Sequence, residues 1–249
     1  YGSFCAPTVL GFCYTGDGVC FGGGAVRLSV SDTLALSGTI TANGQGRGSG
    51  GSIWIVANHF TGDGTLTAGS LNSRRPAAGG RIAIEAVDDQ FKGTIAVKVG
   101  VKWGDNMSYP GTVFRSTAPS FAAIDFDVGA EKLTASYAKN VFNSSVESDW
   151  ENVAFNTQFV INRQITTWKS SSYAWTESCA LASGKAVANT ATYVLDNLTP
   201  NTKALITVDG ETTSQRVDAD GKLTFTAAIA AGGTDVEVRF INGLMLLIK

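Results

Sequence analysis

Between Gly23 and Gly100 one short pattern is written three times, and no other feature of the chain limits its fold as strongly. Gly23-Gly24-Ala25-Val26-Arg27-Leu28, Gly50-Gly51-Ser52-Ile53-Trp54-Ile55 and Gly79-Gly80-Arg81-Ile82-Ala83-Ile84 are each followed by a second step, Gly38-Thr39-Ile40, Gly64-Thr65-Leu66 and Gly93-Thr94-Ile95. From Gly24 to Gly51 the offset is 27 residues, and from Gly51 to Gly80 it is 29. A repeat of this length, made of strands and glycine turns, is one unit of a stack in which each copy buries its apolar side against its neighbours.

Within each copy the apolar residues return with a period of two, which places them on one side of a strand. Val26, Ile53 and Ile82 are thereby predicted to form one interior ladder and Ile40, Leu66 and Ile95 another, with a middle strand around Leu34 to Leu36, Phe60 and Phe91. Trp54 falls in the opposite, outward phase. Gly111-Thr112-Val113-Phe114 opens a degenerate fourth copy, and Phe121 to Val128 alternates again. Past Ala130 the glycine pattern ends, and Asp209-Gly210 and Asp220-Gly221 read as hairpin turns between ordinary strands. The expected fold is all-β: a short parallel β-helix of three to four rungs followed by a small antiparallel β-sandwich. Residues 1–22 are the expected cysteine-bearing N-terminal cap or partial rung, 23–128 the β-helix, 129–185 an aromatic-rich β segment and 186–249 the sandwich module.

Hydrophobic residues make up 44% of the chain and charged ones 16%, enough apolar surface to fold. Lys and Arg number 19 against 21 Asp and Glu, with no block of like charge, so no nucleic-acid partner is expected. No run approaches the roughly 18 apolar residues of a membrane span, and Leu244-Met245-Leu246-Leu247-Ile248 reads as a last buried strand. The chain opens on Tyr1, with neither Met nor a signal segment, and is expected to be a processed chain or a piece of a longer one. Cys5, Cys13, Cys20 and Cys179 lack zinc-site spacing and read as disulfide candidates, with the pairing open; they imply an oxidising, extracellular or cell-surface setting.

The Gly-Gly-x-Val/Ile-x-Leu/Ile rung with its Gly-Thr-Ile/Leu step resembles the glycine-rich β-helix repeats of large bacterial secreted and surface proteins. Leu198-Thr199-Pro200-Asn201-Thr202 resembles the strand-to-turn element of fibronectin-like modules. What these resemblances imply is an extracellular scaffold, an adhesin or a carbohydrate-associated protein; they transfer no catalytic residue. β-Helices that cleave polysaccharides place acidic or basic residues on the outward face of successive rungs, which makes Glu85, Asp88 and Asp89 the candidate catalytic carboxylates.

His59 is the only histidine, so no multi-histidine metal site is expected, and no cofactor. Trp54, Trp150, Trp168, Tyr173 and Trp175 are the candidate ligand-binding residues, because exposed aromatic faces stack on sugar rings; the competing reading is that they cover the solenoid or fill the interface to the last domain. The leading expectation is a non-catalytic structural or adhesive scaffold. A carbohydrate-binding protein or polysaccharide lyase or hydrolase is the main alternative, and a subunit of a self-assembling surface filament the third. The expected partners are a polysaccharide or another copy of the chain.

Overall fold

The structure is a computed structural model and describes residues 5–13, 20–71, 77–98, 111–118, 133–137, 158–181, 189–230 and 232–241. These residues are all-β, with no helix among them. The Phe121–Val128 alternation, Trp150 and the apolar run 244–248 lie outside the described residues.

The long strands of the repeat, β1 (Ala25–Ala35), β3 (Ser52–Thr61), β5 (Arg81–Asp89) and β7 (Gly111–Thr117), lie side by side in parallel. The Gly-Thr steps form a second parallel sheet from β2 (Thr39–Thr41), β4 (Thr65–Thr67) and β6 (Thr94–Ala96). Register sets like on like: Val26, Ile53, Ile82 and Val113 pair in series, as do Ile40, Leu66 and Ile95. Ile53, Ile55, Ile82, Ile84 and Leu66 are fully buried in one core between these sheets. Leu34 and Phe60 do not begin a middle strand, contrary to expectation. They are the far ends of β1 and β3, past an irregularity between Val30 and Thr33, and Phe91 follows β5 with its ring stacked 4.5 Å from that of Phe60.

The double glycines are explained by close approach of backbones. A Cβ at Gly50 would fall on the Ala68 carbonyl oxygen and one at Gly79 on that of Val97, where a short strand ends against the start of a long one. Gly80 N donates to Ala68 O at 2.6 Å across the same gap.

The main sheet does not stop at the repeat. β7 pairs in parallel with β9 (Gln158–Lys169), which turns into β10 (Ser172–Leu181), and the sheet continues antiparallel through β15 (Thr234–Ile241), β12 (Lys203–Val208) and β13 (Glu211–Arg216) to nine strands. A second layer, β14 (Leu223–Ile229), β11 (Asn189–Leu195) and β8 (Leu133–Tyr137), packs on it. The aromatic segment thus shares one sheet with β12 and β15. Asp209 (φ 45°) and Gly210 (φ 87°) make the expected tight hairpin between β12 and β13. The expected hairpin at Asp220-Gly221 is instead a crossing between layers: Asp218 Oδ1 accepts from the backbone of Asp220 and Lys222, and the chain leaves β13 for β14 in the other sheet.

This continuation corrects the reading of Trp54 as an outward, exposed residue. Trp54, Val56, Ala83 and Phe114 join the core shared with β9, β10 and the second layer, and Trp54 is 4% exposed. The central parallel strands are buried on both faces, the usual environment of parallel sheets.

Candidate functional site

The candidate carboxylates lie on β5 and do not converge. Glu85 and Asp88 are separated by about 10 Å of strand, wider than the roughly 5 Å of a retaining pair and near the upper end of the roughly 6.5–9.5 Å of an inverting one. Each is engaged within the protein. Glu85 Oε1 accepts from Trp54 Nε1 at 2.8 Å, on the neighbouring strand β3. Asp88 accepts from Gln90 Nε2 at 2.8 Å and lies 3.3 Å from His59 Nδ1, and these contacts, Gln90 first, hold its carboxyl below the usual carboxylate range.

Asp89 has a structural position that the repeat itself explains. Leu28, Ile55 and Ile84 form one interior column, and the residue that ends it on the fourth long strand is Arg115. Leu34 and Phe60 form another, which ends on Asp89. Where the apolar columns run out, the two charged residues meet: Asp89 Oδ2 is 2.7 Å from Arg115 Nε and 2.6 Å from Nη2, with the Asp89 side chain 5% exposed. The apolar interior is closed by an ion pair, not by a further leucine.

Beyond that pair the same face becomes polar. Asp89, Arg115, Thr117, Asn162, Arg163, Gln164, Thr176 and Ser178 line an open groove of about 390 Å³. No aromatic lines it. Its walls are amides, hydroxyls and two arginines each paired with a carboxylate, a donor and acceptor set suited to an uncharged polar ligand.

The opposite face of β9 and β10 holds Trp168, Tyr173 and Trp175 and buries the last two. Tyr173 and Trp175 are 0% and 1% exposed. Trp175 packs edge-on to Tyr193 at 5.1 Å and near Phe225 at 6.3 Å, joining the two layers. Trp168 is half-buried, its ring 4.4 Å from that of Tyr173. Burial assigns Trp54, Tyr173 and Trp175 to packing; none presents a free face to a sugar.

Within this core sits a pair that the sequence reading did not single out. Arg163 Nε donates to Glu177 Oε2 at 2.6 Å across β9 and β10, with both side chains essentially inaccessible. The Arg163 guanidinium also lies 4.9 Å from the Phe114 ring centroid. Burial pulls the guanidinium's pKa down, but Glu177, then Cys5 and Tyr193, outweigh it and leave Arg163 above its ordinary value. Burial, with Glu177 next, pushes the Tyr193 phenol well up. Arg163 Nη2 has no hydrogen-bond partner among the described residues. A signal was present: Ile161-x-Arg163-x-Ile165 and Trp175-x-Glu177-x-Cys179 each place one charge in the apolar phase of a strand.

Among the cysteines, Cys13 and Cys20 form a disulfide, and Cys5 and Cys179 are both buried in the second core. No group of three or more His, Cys, Asp or Glu able to hold a metal is found among the described residues. No helix among them is long and apolar enough to cross a membrane. No protein-family model matches the chain, and comparison with curated proteins and with solved structures finds no match.

Proposed function

We propose that the chain is a non-catalytic structural or adhesive scaffold of an extracellular or cell-surface protein, built on a short parallel β-helix of three to four rungs and continued by an antiparallel two-layer module. The observation that carries this reading is the fate of the repeat's charged residues. Glu85 serves Trp54, Asp89 and Arg115 close the interior, and Asp88 is tied to Gln90 and His59. Each supports a neighbouring rung or turn, and the acids do not converge on a common point where a substrate bond would lie. The Cys13–Cys20 bond supports an oxidising compartment.

A second reading is favoured by one feature, the polar groove at the end of the stacked interior. Its amides and hydroxyls fit a neutral saccharide better than the buried aromatics do. Turnover on a polysaccharide panel, run beside a glycan array, tests both. The scaffold reading expects no turnover and no glycan binding that changes in Asn162→Ala or Gln164→Ala. Turnover lost in Glu85→Gln or Asp88→Asn would sink it in favour of an enzyme; glycan binding lost in the groove variants would replace it with a binding module.

A further inference from the structure

Each rung leaves its mark on the glycines of the rung stacked upon it. A Cβ at Gly51 would fall on the Gly24 carbonyl oxygen, and one at Gly80 on that of Gly51. In the second sheet Gly64 is confined by the Gly38 carbonyl and Gly93 by that of Gly64. None of these four has a positive φ, so what demands glycine there is the preceding rung's backbone and not the residue's own conformation. In the first rung the same two positions are Gly24 and Gly38, and a Cβ at either would meet nothing within 4 Å. The first rung carries the glycines without the neighbour that requires them.

Two further observations describe the same edge. β1 and β2 are the outermost strands of their sheets, so one row of backbone donors and acceptors on each has no strand beside it among the described residues. Val26, Leu28, Val30, Leu34 and Ile40 are only half-buried, whereas their partners Ile53, Ile55, Phe60 and Leu66 are 0% exposed. Among the described N-terminal residues, Phe21 bridges Gln45 just past the end of β2, and none pairs with Ala25–Val30 or Thr39–Thr41 themselves. The earlier ones cross the sheet's other face, where Val9 O accepts from Ser52 Oγ at 2.6 Å, Gly11 N donates to Gly23 O at 2.8 Å, and Cys5 enters the second core.

We infer that the edge formed by β1 and β2 is a docking surface for one more glycine-rich parallel coil, supplied by a separate polypeptide whose strands add in parallel to Ala25–Val30 and Thr39–Thr41. Backbone pairing would provide the affinity and the half-buried apolar row the register, as in other strand-addition interfaces. A carbonyl over Gly24 and another over Gly38 would complete the spacing found at every later rung. A second copy of this chain fits less well. Among the described residues the other parallel edge, β6, has no free long strand beside it, because β7 goes on to pair with β9; two copies of the β1–β2 edge related by a two-fold axis run antiparallel, and β13 is antiparallel and exposed throughout.

The inference rests on the β-helix reading above, and its test keeps the two apart. The probe is a labelled synthetic peptide with the sequence of residues 50–67, one rung's long and short strands, titrated into the intact chain by fluorescence anisotropy beside a scrambled peptide of the same composition. Saturable one-to-one binding is expected, with the scrambled peptide roughly tenfold weaker or worse. Gly24→Ala and Gly38→Ala should leave the melting temperature within about 1 °C while weakening the peptide roughly tenfold. Absence of saturable binding, equal binding of the scrambled peptide, or variants that bind like the parent would each overturn the docking surface. Sedimentation showing the chain paired with itself through this edge would do the same. Gly51→Ala reports separately on the underlying reading: a chain indifferent to it has no stacked rungs, whereas one destabilised by it that ignores the peptide fails only as a docking surface.

Discussion

At the scale of single residues, the alternation of the strands decides the cost of a charge. Arg163 and Glu177 occupy the apolar phase of β9 and β10, so neither can reach water when its partner is removed. Glu177→Gln should therefore destabilise by about 3–5 kcal/mol, because it leaves a buried guanidinium without a counter-charge. Replacing both residues together, Arg163→Leu with Glu177→Leu, should cost clearly less than the Glu177→Gln change alone, since no uncompensated charge remains. Denaturant titrations of the three proteins measure this, and a double variant less stable than Glu177→Gln would contradict it. The motif was visible as a charge out of phase. Its partner was not, because only strand pairing brings positions 163 and 177 opposite each other.

At the scale of elements, identical repeat positions differ in value from one copy of the repeat to the next. Ile55 is sealed between neighbours on both sides, while Leu28, its partner on β1, has a paired strand on one side only among the described residues. Ile55→Ala is expected to cost about 2–5 kcal/mol and Leu28→Ala roughly half as much, because the outer position loses less buried area and can relax. Equal losses in urea denaturation would show that the first rung is covered as completely as the second. The sequence makes the ladder legible, since both residues sit at the same offset from a double glycine. What it did not reveal was the end of the ladder: Arg115 looks like an ordinary outlier until register places it above Ile84 and beside Asp89.

At the scale of the whole molecule, the parallel and antiparallel halves share the nine-stranded sheet through the pairing of β7 with β9, and one core runs from Trp54 on the rungs to Phe225 in the second layer. A single cooperative unfolding transition is expected, with calorimetric and van't Hoff enthalpies equal. Two resolved transitions would mean that the halves fold independently. The amino-acid sequence by itself determined the all-β class, the register between the repeat copies and the tight turn at Asp209-Gly210, because period-two alternation and glycine spacing act locally or between equivalent positions. Only the tertiary structure decided which face is inside. The face that carries Trp54 and Val56 shares its core with Cys5 of the N-terminal stretch and, more than 100 residues further along, with β11 and β14 of the second layer. No local pattern records that covering, and it turns Trp54, Tyr173 and Trp175 from presumed ligand platforms into core.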